Sequence, residues 1–141
     1  MLKMKKTYKI AVDFDQTIAL GNSFPDLKYS TVNTMLISWL LHRQKLGDKI
    51  LLWTCRENYG GKCYPDGLYI DDAIEYSKKH GLIFDSINAN YGEVWGECGI
   101  AYGRKIGADV YLDDKSLPFN NKIMWYILLK LYDLKFLLES L

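Results

Sequence analysis

Two carboxylates separated by one residue, with a hydroxyl two positions further on, are the first side chains of this sequence whose types and spacing could do chemistry. Asp13, Asp15 and Thr17 follow a short apolar run at residues 10–12. Carboxylates this close repel each other unless a cation or a shared proton offsets the repulsion. The alternative interpretation is that one acid caps a turn and the other faces water. We favour a site that binds a cation or moves a proton.

Two later apolar runs also end in polar side chains. Thr54 ends the run at residues 49–54, and Asp113 and Asp114 end the run at residues 109–114. Ligands of open α/β sheets bind just beyond the carboxyl ends of the strands, and in a parallel sheet these ends share one edge. The four acids and the Thr54 hydroxyl would therefore form a cluster of hard oxygen ligands, which suits Mg²⁺ better than a soft metal.

Basic residues flank this predicted cluster. Arg104 and Lys105 precede the last run, and either could supply positive charge to an anion held against the acids. Arg56 follows Thr54 closely and could bind a second anionic group of a substrate, or form an ion pair instead. Acids that hold a metal, a hydroxyl that orients an oxyanion and a cation that offsets developing charge are the parts of phosphoryl transfer.

The elements that must position these residues alternate along the chain. Apolar residues at helical spacing over 32–40, with Ser30 or Thr31 as the cap and Gly47 as the stop, predict a first helix. A second helix is predicted from about residue 70 to 80. A third, shorter strand is predicted at 82–87, and a short helix near 100–106. The order predicts an α/β fold, with a three-layer Rossmannoid parallel sheet, right-handed crossovers and helices on both faces.

The predicted domain organisation is simple. We expect one catalytic domain over residues 1–121, in which residues 18–30 form a flap. Residues 122–141 are strongly apolar and helix-prone, and their apolar stripe is wider than one packing face needs. We expect this helix to dock on the same domain. The alternative is a homodimer seam or a partner surface.

Composition excludes several classes of protein. The 141 residues carry a net charge of +1, so no electrostatic footprint for duplex nucleic acid is present. No uninterrupted apolar run reaches the length that spans a bilayer. Cys55, Cys63 and Cys98 make an odd count without zinc-site spacing, and we interpret them as reduced thiols of a cytoplasmic protein.

Taken together, the motifs resemble those of phosphatases of the haloacid dehalogenase (HAD) superfamily, and more narrowly small bacterial and phage members without a cap domain. The first motif of that family, Asp-x-Asp-x-Thr after an apolar strand, is similar to residues 13–17. Its second, third and fourth motifs are similar to Thr54, to Lys105 with Arg104 as the competing choice, and to the pair Asp113 and Asp114. Gln16 departs from the glycine often found there, at a position that varies in the family.

The resemblance implies a role for each of these residues. Asp13 would be the nucleophile that forms an aspartyl-phosphate, and Asp15 would act as general acid and then as general base. Thr54 would hydrogen-bond the transferring phosphate, and Lys105 would neutralise it. Mg²⁺ would be held by Asp13, Asp113 and Asp114 together with Asp15, which would contribute its backbone carbonyl.

The spacing of the motifs bears on the substrate. Neither interval between motifs leaves room for a substantial cap domain, so we expect an open site that admits a small-molecule phosphate ester or a phosphorylated polymer end. Aromatic side chains that could stack on a nucleobase or sugar, or simply pack, are Phe24, Tyr29, Tyr59, Tyr64, Tyr91 and Trp95. The alternative function is a catalytically weak phosphate-binding or interaction module on the same fold.

Overall fold

The structure is a computed structural model, and it describes residues 5–21, 24, 26–56, 58–59, 67–92 and 106–141. Eight strands are assigned in this part of the chain: β1 (Lys9–Val12), β2 (Ala19–Leu20), β3 (Thr31–Val32), β4 (Lys49–Leu52), β5 (Asn58–Tyr59), β6 (Gly67–Leu68), β7 (Ser86–Ile87) and β8 (Val110–Leu112). The helices are α1 (Thr34–Lys45), α2 (Tyr69–Lys79) and α3 (Lys122–Ser140), and a 3₁₀ turn covers Asp114–Ser116.

Four strands form the central sheet, in the order β7-β4-β1-β8, and all neighbouring pairs are parallel. Ile10 of β1 pairs with Ile50 of β4 on one side and with Val110 of β8 on the other. The predicted α/β class, a parallel sheet flanked by helices, is confirmed. Between β1 and β4 the described chain adds only α1 and the antiparallel hairpin β2–β3, which occupies the predicted flap.

The core follows from the alternation of side chains along the strands. Ile10, Val12 and Ile50 point to the face on which buried residues of α1, α2 and α3 join one apolar cluster. Ala11 and Leu51 point to the other face and pack with Ile106. The helix predicted near 100–106 lies outside the described residues except for Ile106.

The helix predictions hold with shifted ends, and the third strand is shorter than predicted. The helix predicted between a cap at Ser30 or Thr31 and a stop at Gly47 corresponds to α1, and the helix predicted at 70–80 corresponds to α2. The prediction of a strand at 82–87 is correct for β7 but wrong for residues 82–85. A side-chain hydrogen bond of Asp85 explains the shorter strand. The backbone N–H of Asp85 donates to Ile50 O at 2.8 Å, and its carboxylate accepts from Ile50 N at 2.8 Å. The Asp85 carboxylate therefore accepts the hydrogen bond that a backbone carbonyl would accept if the strand were longer.

α3 packs on α1 by one of its faces. Trp125, Leu129 and Phe136 are buried, and the Phe136 ring stacks on Tyr8 with centroids 3.9 Å apart. The Trp39 indole N–H donates to Asp133 at 2.7 Å. Within the described ranges, no helix has the length and apolar character needed to cross a membrane.

Candidate functional site

Three carboxylates meet at the carboxyl edge of the sheet. Because Val12 pairs with Leu112, the residues that follow β1 and β8 leave the sheet side by side, and Asp13 N donates to Leu112 O at 2.9 Å. Carboxylate oxygens of Asp13, Asp113 and Asp114 all lie within 4.8 Å of one another. Asp113 uses one oxygen to accept from Lys115 N at 2.9 Å, which fixes its orientation at the start of the 3₁₀ turn.

Burial and neighbouring charge raise the proton affinity of Asp13 and Asp114. Burial raises the pKa of Asp13 to about 7, and the charges of Asp113, Asp15 and Asp114 add to the rise, against the opposing hydrogen bond from the Phe14 backbone. Burial also raises the pKa of Asp114, helped by a hydrogen bond with Asp113 and by the charge of that neighbour. Three hard oxygen donors, of which Asp13 and Asp114 have raised pKa values, are a donor set that fits Mg²⁺.

Thr17 ties the two acid-bearing loops together. Its side chain is fully buried, and its hydroxyl accepts from Asp114 N at 3.1 Å and donates to Asp13 at 3.4 Å. Through these two hydrogen bonds, Thr17 helps to fix the positions of Asp13 and Asp114 in the cluster.

Thr54 lies at the same edge, one strand away. Trp53 N donates to Val12 O at 2.9 Å, so the chain beyond β4 continues alongside β1 as far as the acids. Thr54 N donates to the Asn88 side chain at 2.8 Å, and its hydroxyl accepts from Arg56 N at 3.1 Å. Asn88 adopts a φ of 48°, a left-handed conformation that asparagine tolerates better than most residues.

Asn88 is a positioning residue that sequence reasoning missed. The only signal was an asparagine directly after a predicted strand, where such residues favour turns. Its link to Thr54 spans 34 positions of the chain and depends on the pairing of β4 with β7.

Asp15 is not among the three clustered acids and pairs with Arg56. Nε of Arg56 donates to one Asp15 oxygen at 2.9 Å and Nη2 to the other at 2.8 Å. The guanidinium lies between the rings of Phe14 and Phe24, with centroid distances of 4.9 and 5.0 Å, and Nη1 donates to Tyr69 O at 3.4 Å. Arg56 is 1% exposed. Of the two alternatives for Arg56, the described contacts show the ion pair, and binding of a second anionic group of a substrate stays a prediction. The metal role expected of Asp15 through its backbone carbonyl stays a prediction.

Several predicted residues lie outside the described part of the chain. These are Arg104, Lys105, Cys63, Cys98, Tyr64, Trp95 and the side chain of Tyr59. Of the other aromatic candidates, Phe24 contacts Arg56 and Tyr69. Tyr29 and Tyr91 are exposed and lie against the ammonium groups of Lys28 and Lys49, at 5.1 and 5.2 Å.

Comparison with known proteins gives one informative match. No protein-family model matches the chain, and no curated protein matches it. The chain is similar to a solved structure of a conserved protein from Bacteroides thetaiotaomicron, with 28% sequence identity and a TM-score of 0.67. The similarity covers 92% of this chain and 93% of that chain. The two proteins therefore share the fold over nearly their whole lengths.

Proposed function

We propose that the protein is a Mg²⁺-dependent phosphomonoester hydrolase that works through an aspartyl-phosphate on Asp13. The observation that carries this proposal is the convergence of Asp13, Asp113 and Asp114 within 4.8 Å at the carboxyl edge of a parallel sheet. Thr54 lies two residues beyond the end of the neighbouring strand β4, where its hydroxyl could donate to a phosphate oxygen. The proposal also draws on the motif resemblance, which the matched solved structure neither adds to nor opposes.

The proposed reaction divides into two displacements. An Asp13 oxygen attacks phosphorus while the bond to the leaving oxygen breaks, and Asp15 gives that oxygen a proton. Water then attacks phosphorus, Asp15 takes the proton from the water, and the bond to Asp13 breaks. Bound Mg²⁺ would supply positive charge that lets an anionic phosphate approach the acids. Thr54 and Lys105 would bind the phosphate oxygens.

Asp15 has to change partners in this scheme. Its carboxylate lies against Arg56 in the structure, so it must turn from the guanidinium toward the leaving oxygen before it can transfer a proton. The proposed substrate class is a phosphate ester on a small molecule or on the end of a polymer, because the described chain between β1 and β4 holds only the β2–β3 hairpin and α1, which leave no room there for a cap domain.

The test is phosphate release from an aryl phosphate with and without Mg²⁺. We expect turnover that requires Mg²⁺ and is abolished in Asp13→Asn. The matched control is Asp72→Asn, which removes an exposed carboxylate on α2 and should leave turnover unchanged. Turnover that persists in excess chelator, or in Asp13→Asn, would refute the proposal.

One observation favours a second candidate function. The two-point pair between Asp15 and Arg56 keeps the proposed acid engaged, as expected of a phosphate-binding module with little catalysis. Such a module would bind Mg²⁺ together with a phosphate analogue such as vanadate, measured by calorimetry, and would release phosphate from none of a panel of nucleotides, sugar phosphates and 3′- or 5′-phosphorylated oligonucleotides.

A further inference from the structure

α3 has a second apolar face, opposite the one that packs on α1. It carries Met124, Ile127, Leu131, Leu134 and Leu138, and Leu141 continues the series. Met124 is half-buried, whereas Ile127, Leu131, Leu134 and Leu138 are 44–59% exposed and Leu141 is 84% exposed. We call these six residues the α3 seam.

The spacing of the α3 seam alternates between three and four residues along its whole length. This alternation averages 3.5 residues and is the pattern of positions a and d of a coiled coil, which bury their side chains against another helix. The buried residues Trp125, Leu129 and Phe136 fall on the far side of the same helix. The helix therefore has two apolar faces, of which one packs on α1 and the other, the α3 seam, has the pattern of a face that packs on a second helix.

The exposed apolar area is large for a chain of this size. Together with the flanking Ile123 and Leu137, which are 69% and 59% exposed, the seam offers on the order of 800 Å² of apolar surface, about what each partner buries in an interface of standard size. It also exceeds the roughly 300–600 Å² of the largest patch on a typical monomer.

We propose that the α3 seam is a homodimer interface in which the α3 helices of two copies pair antiparallel. In this arrangement Leu131 packs on the partner subunit's Leu134 and Ile127 packs on the partner subunit's Leu138. A two-fold axis midway along the seam brings Met124 against the partner subunit's Leu141, so every seam residue meets another seam residue. This self-complementarity is what a closed two-fold interface requires.

The charges beside the seam select the antiparallel orientation. Lys130 and Lys135 flank it on opposite sides, at positions g and e. A parallel pair would place Lys130 beside the partner subunit's Lys135, which is a repulsive contact. An antiparallel pair instead places Lys130 beside the partner subunit's Leu137 and Lys135 beside the partner subunit's Leu128, where the lysine stems cover apolar surface.

The test is the molar mass of the purified full chain in solution, measured by light scattering after size exclusion at tens of micromolar. We expect twice the chain mass of 16.4 kDa. The double variant Leu131→Glu/Leu134→Glu should elute as a monomer with an unchanged circular dichroism spectrum. Tyr126→Glu, which changes an exposed residue of the same helix away from the seam, should remain a dimer.

Orientation is tested with Lys130→Glu. In a parallel dimer this change would create an attractive pair with the partner subunit's Lys135 and tighten the dimer several-fold. We expect no tightening.

A wild-type monomer, or a double variant that remains dimeric, would overturn the proposal. So would a monomer that sediments with vesicles of phosphatidylcholine and phosphatidylglycerol, since the face would then bind a membrane.

Discussion

If the proposed metal site is correct, Asp13 occupies a position in which its proton and the metal ion compete for the same carboxylate. The pKa of its carboxyl lies at about 7 because the group is buried beside other acids, against an ordinary value of 3.8. Between these two pH values the folded protein holds a proton that the unfolded chain releases. Without a divalent cation, the free energy of unfolding should therefore fall as pH rises from about 4 to 7.

This competition predicts pH-dependent stabilisation by Mg²⁺. In the proposed site the ion would bind the ionised carboxylates, so the rise in melting temperature on adding Mg²⁺ should be larger at pH 8 than at pH 5.5. Thermal unfolding with Mg²⁺ and with chelator at both pH values measures the effect. Asp13→Asn should flatten the pH dependence in chelator. Equal Mg²⁺ shifts at the two pH values would contradict the prediction.

The pair between Arg56 and Asp15 should contribute strongly to stability. The Arg56 side chain is fully buried, while that of Asp15 is 27% exposed. Arg56→Ala removes a charge partner and empties space between Phe14 and Phe24, so we expect it to lower the free energy of unfolding by about 3–5 kcal/mol. Urea unfolding measures this loss.

A surface ion pair provides the control for Arg56. Lys6 and Glu139 are 3.0 Å apart and solvent-exposed, so Lys6→Ala should change the urea midpoint little. If Arg56→Ala and Lys6→Ala had the same urea midpoint, the buried pair would contribute no more to stability than the surface pair, and the prediction for Arg56 would be wrong.

At the scale of elements, the start of α1 is joined to the loop that carries the acids. Asn33 caps the helix by accepting from Leu36 N at 3.3 Å, and its amide donates to Thr17 O at 3.1 Å. The residue is buried, so neither bond is replaced readily by water.

Two substitutions at Asn33 separate its two contacts. Asn33→Ala loses both, and we expect a loss of about 2 kcal/mol in the free energy of unfolding. Asn33→Ser keeps a good capping oxygen but cannot reach Thr17, so it should recover about half of that loss. Equal stabilities of the two variants in denaturant titrations would show that the cap contributes nothing.

Sequence could predict the positions of the acids because each follows an apolar run, and the ends of parallel strands share an edge. It could not predict the partner of Arg56, since Asp15 is 41 positions away and the pair forms only once β4 lies beside β1. The sequence also could not predict the length of β7, because the Asp85 side chain replaces a backbone hydrogen bond there. Asn88 is a third such case, since its contact with Thr54 follows from tertiary pairing.

At the scale of the whole molecule, α3 packs into the main hydrophobic core through Trp125, Leu129 and Phe136. Phe136 is 4% exposed, stacks on Tyr8, and lies 4.5 Å from the Arg43 guanidinium. Phe136→Ala should cost about 3–5 kcal/mol, and the sheet and α3 should still unfold in a single transition.

Circular dichroism and tryptophan fluorescence, followed together through a denaturant titration, test this cooperativity. Tyr126→Ala, at an exposed site on the same helix, should change the free energy of unfolding by no more than about 0.5 kcal/mol. A separate early transition in which helix content is lost before the core opens would contradict the prediction.

The pairing of Ile10 with Val110 has a consequence for how the chain is made. On the ribosome, β1 emerges about 100 residues ahead of the strand that covers one of its edges, a delay of roughly 5–20 s at ordinary rates of synthesis. Throughout that interval the nascent chain exposes unpaired backbone groups that could recruit another polypeptide. The yield of folded protein should therefore depend on chaperones that bind nascent chains more than the stability of the folded molecule would suggest.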